Sequence, residues 1–114
     1  MNFKIPKIRS ETHRRFVANK ACMLSGLMDG VQAHHLLRAE GKGMATKASD
    51  IWLVPLHHTL HDALHKNGNE VVFFENHGMD YEYVMDTARI CSELSPDKKI
   101  REAIRLWVSL RRHC

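Results

Sequence analysis

The sequence predicts a small α+β protein, and three observations carry that prediction. Two short runs of strand type, Val31-Gln32-Ala33-His34 and Ile51-Trp52-Leu53-Val54, flank a basic stretch broken by glycines. A histidine-bearing segment follows the second run and stops at Asn67-Gly68, a C-terminal helix signal. Downstream, apolar residues recur at the spacing of helices packed on a core. The expected order is therefore strand, loop, strand, helix and further helices. All of it is expected in one domain over residues 1–114, because a chain of 114 residues is too short to stabilise two independent cores.

Residues 1–9 are basic and interrupted by Pro6, which predicts an extended arm rather than a packed element. Ser10 is placed to cap a helix over about 11–19, with Phe16 and Val17 inward and Arg14 and Arg15 towards water. The segment Ala21-Cys22-Met23-Leu24-Ser25-Gly26 reads as a turn. Residues 38–47 read as loop, with the cations Arg38, Lys42 and Lys47, and Pro55 is expected to stop the second strand. A helix fits 57–66. Val71-Val72-Phe73-Phe74 has strand composition, but Asn69-Glu70 before it and His77-Gly78 after it favour a short helix. Asp80 then caps a helix over 81–93, with Tyr83, Val84, Ala88 and Cys91 inward. Ser95-Pro96 opens a last helix over 97–112, whose Ile100, Ala103, Ile104, Trp107 and Val108 form an apolar stripe. Packing on the domain is the first expectation for that stripe; a homodimer contact or a seat along DNA are the others. Trp52 is expected in the core.

An excess of 17 Lys+Arg over 13 Asp+Glu, with pI near 9.2, points weakly to polyanionic partners, a property shared with many unrelated proteins. The three cysteines, Cys22, Cys91 and Cys114, are odd in number and widely spaced, which argues against a disulfide framework and for a reducing, cytoplasmic location. The first residues lack the apolar stretch of a secretory signal, and no run approaches the length of about 20 apolar residues that a membrane span needs. No membrane partner is expected.

The chemistry is concentrated in histidine. Six of the nine histidines lie between positions 34 and 65. Imidazole is both a common metal ligand and the usual proton acceptor near neutral pH, so an ordered set suggests a metal site with a base beside it. His61 and His65, four apart on a helix, share a face and can share one ion; His57 would stand a turn earlier on the same stripe, and His58 on another side. His34 is the candidate third ligand. Neighbours on a strand point to opposite faces, so His34 and His35 cannot both bind that ion, and one is left free to act. His57 and His58 are read individually as surface or helix-packing side chains. His13, His77 and His113 receive no functional assignment.

These pieces, with Thr12-His13-Arg14-Arg15-Phe16-Val17, Ala33-His34-His35-Leu36, Lys47-Ala48-Ser49-Asp50, Val54-Pro55-Leu56, His61-Asp62-Ala63-Leu64-His65 and Gly68-Asn69-Glu70, resemble a bacterial and phage subfamily of HNH endonucleases related to the recombination-enhancement nucleases. The resemblance covers roughly residues 10–80. It implies a ββα-metal core over about 20–68 with flanking helices, the C-terminal ones over about 69–112. It implies His34, His61 and His65 as ligands of one divalent ion (Zn, Mg, Mn, Ni or Co), His35 as general base, and hydrolysis of DNA, double- or single-stranded, to 5′-phosphate and 3′-hydroxyl ends. An RNA substrate stays open. Arg38, Lys42 and Lys47 are assigned to flanking phosphates.

Two departures qualify the pattern. Where many relatives carry two Cys-x-x-Cys knuckles for a structural zinc, this chain has Cys22, Ser25, His57 and Leu60. Packing by Leu24, Leu56 and Leu60 is expected in place of the zinc, with Cys22 and His57 as a remnant pair. The middle asparagine is replaced by Trp52, and Asp50, with Ser49, is expected to position the loop instead. The competing function is a non-catalytic, metal-stabilised nucleic-acid-binding module. His35 separates the two, since a structural site has no use for a free imidazole next to a ligand.

Overall fold

Ser10 opens the first helix as expected: its Oγ accepts the His13 N–H, and α1 runs over Glu11–Ala18. The coordinates are a computed structural model that describes residues 7–36 and 49–111, the side chain of Arg111 excepted. After α1 come β1 (Val31–His35), a 3-10 turn (Asp50–Trp52), β2 (Leu53–His57), α2 (His58–Asn67), α3 (Glu70–Asn76), α4 (Tyr81–Glu93) and α5 (Lys98–Arg111). The architecture is mixed α+β, with five α-helices and one two-stranded antiparallel sheet among the described residues. Helices α1, α2 and α4 pack on the sheet, α3 lies between α2 and α4, and α5 packs on α4 and the 3-10 turn.

The second strand differs from its expectation. Ile51 and Trp52 belong to the 3-10 turn, and Pro55 lies inside β2, opposite Ala33, rather than ending it. The hydrogen bonds explain why. The Pro55 carbonyl accepts from Met23 N–H on the side away from β1, and the next outward-facing amide, that of His57, donates to Cys22 Sγ. Pro55 thus occupies a position whose N–H would not have faced β1, so the missing donor leaves the ladder intact. The strand extends to His57, which becomes the N-cap of α2: its Nδ1 accepts the Thr59 N–H, and the helix starts at His58. His57 therefore leaves the ligand stripe.

The core joins Leu36, Ile51, Trp52, Val54 and Leu56 to Phe73, Phe74, Val84, Ala88, Ile100 and Ile104. Trp52 is buried and meets Trp107 edge-to-face at 5.7 Å, so the stripe of α5 packs on its own domain. In α4 the inward residues are Val84, Ala88, Cys91 and Ser92; Tyr83 is 59% exposed, because it projects a helical step of 100° away from Val84. Ser92 Oγ donates to the Ile51 carbonyl and ties α4 to the 3-10 turn. The arm is also docked where described: Ile8 packs on the core, its N–H donates to Ser49 Oγ, and its carbonyl accepts from Asp50 N–H. Residues 1–6 lie outside the described part. No helix among the described residues is long and apolar enough to cross a membrane.

Candidate metal and base site

Strand alternation separates the two histidines of β1. His34 points inward and is 3% exposed; its ring meets that of His61 edge-on at 4.8 Å and lies 6.4 Å from that of His65. His61 and His65, one turn apart on α2, stack at 4.7 Å. The three expected ligands are thus brought into one cluster. Imidazoles sharing a tetrahedral ion at the usual metal–nitrogen distance have centroids roughly 5 Å apart; two of the separations here are near that value and the third, 6.4 Å, is longer. Among the described residues the donor atoms, as they stand, do not form a three-donor metal set. Two of the rings are instead held by oxygen acceptors.

His61 Nδ1 donates to Gln32 Oε1 at 2.7 Å, leaving Nε2 as its basic nitrogen. His34 Nε2 donates to Glu70 Oε1 at 3.0 Å, and the Tyr81 hydroxyl donates to Glu70 Oε2. Burial, then the neighbouring His34 and His65 and the more distant His35, push the His61 pKa down against the opposing charge of Asp62. The lowered pKa favours the neutral imidazole. Neither Gln32 nor Glu70 was legible as a site residue. Gln32 looks like an ordinary strand position, and Glu70, following the Asn69 cap, looks like an ordinary first-turn acid.

His35 takes the opposite face and keeps a quarter of its side chain exposed. Its Nε2 lies 2.7 Å from Asp50 Oδ1. A carboxylate only accepts, so Nε2 carries the proton and Nδ1 the lone pair. Asp50 is fully buried and also accepts Ser10 N–H at 2.7 Å, with Arg9 Nη1 and Arg14 Nε at 3.6 and 3.7 Å. Burial alone would raise its pKa, but hydrogen bonds from His35 and Ser10 and the charges of His35 and Arg14 outweigh it and hold the carboxyl below its usual value. Asp50 therefore touches the expected base directly, a contact that its expected role in positioning the loop did not include. Ser49 supports it by accepting from Ile8 N–H and Ile51 N–H.

The assigned phosphate contacts Arg38, Lys42 and Lys47 lie outside the described residues. Among the described cations, Arg9 and Arg14 lie beside Asp50, each about half exposed. The remnant pair is adjacent through backbone: Cys22 Sγ accepts from Ser25 N–H and His57 N–H. Burial pushes the thiol pKa up, yet these hydrogen bonds and that of Leu24 more than compensate, so it lies below its ordinary value. The His57 ring turns to Thr59 and tilts against His58 at 4.4 Å. Leu56 is buried, and Leu24 and Leu60 pack on the same core as Cys22.

Comparison with known proteins adds the following. The chain is 33% identical over 84 residues to the uncharacterized protein YdfU of Escherichia coli (strain K12), an alignment that covers 71% of this chain and 23% of that protein. The chain thus spans less than a quarter of the length of the curated relative it matches. No solved structure matches. Residues 1–94 match the family described as "Protein of unknown function (DUF968)", and the chain belongs to that family.

Proposed function

We propose that the protein is a metal-dependent endonuclease of the HNH type, built on a ββα-metal core formed by β1, β2 and α2, that hydrolyses phosphodiester bonds in DNA. The observation that carries this reading is the division of labour across β1. His34 joins His61 and His65 on one face, while His35 on the other is oriented by a buried carboxylate.

His34, His61 and His65 are the residues that would hold the divalent ion. When bound, such an ion supplies positive charge to the phosphate and to the departing oxygen. The remaining work belongs to the chain's own groups. His35 Nδ1 takes a proton from the attacking water as the water oxygen bonds to phosphorus; the bond from phosphorus to the 3′ oxygen breaks, and that oxygen is protonated from solvent. The products are 5′-phosphate and 3′-hydroxyl ends. Asp50 holds the imidazole in the tautomer that presents Nδ1 and stabilises the cation formed on protonation, as a buried carboxylate does for a catalytic histidine elsewhere. Arg9 and Arg14, gathered at the same carboxylate, supply cations for flanking phosphates.

The test is cleavage of supercoiled plasmid by metal-stripped protein resupplied with single divalent ions, alongside His35→Ala. Cleavage by the wild type and not by the variant supports the nuclease. Tight DNA binding with no cleavage under any ion would instead favour a metal-stabilised binding module.

A further inference from the structure

We propose that Glu70 is the positioning carboxylate of the histidine cluster: it holds His34 by Nε2, so that Nδ1 is the nitrogen left to ligate a divalent cation shared with His61 and His65. The inference rests on the metal-dependent reading above and assigns a residue that the reading does not contain.

Glu70 is 5% exposed, in the first turn of α3. Glutamate is seldom buried to that degree without a specific partner, because its carboxylate loses hydration that only good hydrogen bonds replace. The partners here come from two other elements. His34 on β1 donates to Oε1, and Tyr81, the first residue of α4, donates to Oε2. One carboxylate thus ties β1, α3 and α4 together at the histidine cluster. A purely cohesive role would be served as well by an apolar side chain of similar volume. What an apolar side chain cannot do is select a tautomer.

Selection of a tautomer is what the rest of the cluster shows as well. Gln32 Oε1 takes the Nδ1–H of His61 and leaves Nε2. Two of the three clustered imidazoles therefore have one nitrogen engaged by an oxygen acceptor. In metal sites this arrangement fixes ring orientation and raises the basicity of the ligating nitrogen, most strongly when the acceptor is a carboxylate. His34 has the carboxylate, and it is the most deeply buried of the three rings.

The experiment is titration of the metal-stripped full chain with Zn(II), followed by calorimetry, and with Co(II), followed by its visible absorption. The proteins are the wild type, Glu70→Gln and Tyr81→Phe. Glutamine keeps the shape and can still accept from His34, but it removes the carboxylate. The expected result is one ion per wild-type chain and an affinity about 10- to 100-fold weaker in Glu70→Gln. The cobalt bands should stay in place, because the ligands themselves are unchanged. Equal affinity in the two proteins overturns the proposal. So does a displaced cobalt spectrum, which would make Glu70 a ligand rather than its support. If Glu70→Gln fails to fold, Tyr81→Phe decides: weaker binding with unmoved bands supports the proposal, and equal binding overturns it. A wild type that takes up no ion removes the metal-dependent reading and this inference together, whereas wild-type binding that the variants share removes this inference alone.

Discussion

On one side of β1, His34 sits 3% exposed among His61, His65 and Glu70; on the other, His35 keeps a quarter of its side chain in solvent against Asp50, Arg9 and Arg14. The two residues are chemically identical and adjacent in sequence. The pleat sends them apart, and each neighbourhood then decides what its imidazole can do. On the inner side, burial and other imidazoles favour the neutral form of His61, as ligation requires. On the outer side, a buried carboxylate accepts from Nε2 of His35 and fixes its tautomer. In the proposed mechanism, role is a property of the face of the strand more than of the residue.

Breaking one face at a time tests that division. His35→Ala should lower the plasmid cleavage rate by roughly 10²–10⁴-fold while metal stoichiometry and DNA affinity stay at wild-type values; unchanged cleavage would take His35 out of its role. His61→Ala should do the reverse first, with the purified variant losing its metal on dialysis, as measured by elemental analysis, and activity falling as a consequence. Normal metal content in that variant contradicts the ligand set.

A third prediction concerns His13, which anchors the support behind Asp50. It is fully buried, shares a hydrogen bond of 2.8 Å with Ser95 Oγ, and has no partner for Nε2 among the described residues. Burial lowers its pKa to about 4 against the opposing charges of Asp50 and Asp97. The unfolded chain takes up this proton near pH 6.5 and the folded chain does not, so the contribution is complete above that pH and is lost as pH falls from 6.5 to about 4. The loss is at most about 3 kcal/mol. Urea midpoints measured across that window should fall less steeply in His13→Gln than in wild type, and parallel curves would count against the assignment.

Smaller effects sharpen the outer face. Asp50→Asn should destabilise the fold by about 1–3 kcal/mol, since the Ser10 amide, His35 and the two arginines lose a charged acceptor. It should also slow cleavage more than it weakens metal binding; an equal loss of both would mean that Asp50 serves the whole fold rather than His35. The smallest change is expected from Gly30→Ala, about 1–2 kcal/mol in a denaturation curve. Gly30 has φ +73°, and an added Cβ would stand 2.9 Å from His58 Cδ2 and 3.0 Å from His57 Nε2. Full stability in that variant would show that the two rings yield easily.

Much of this arrangement is legible in the sequence. Local signals act within a few residues, and where they were strong they were right: Ser10 caps α1, Asp80 caps α4, and Gly68 ends α2 with φ +80°. The alternation of His34 and His35 and the four-residue step from His61 to His65 are likewise local geometry, whereas the meeting of His34 with the helix pair depends on how α2 packs against β1. Pro55 misled because its effect depends on which side of β2 the partner strand lies, and that is a matter of pairing. His57 departs from its expected place because β2 ends three residues later than the expected Val54, which makes His57 a cap instead of a helical position.

The sequence by itself determined the mixed α+β class, the order of elements and the histidines that share a face, because periodicity and capping are written in neighbouring residues. Only the tertiary structure decided that Asp50, 15 residues after His35, meets its ring, and that Glu70, 36 residues after His34, holds the other one. The physical reason is that a carboxylate has no preference of its own for either imidazole. It meets whichever ring the packing of β1 against the 3-10 turn, α2 and α3 brings within 3 Å, and burial then makes that meeting count.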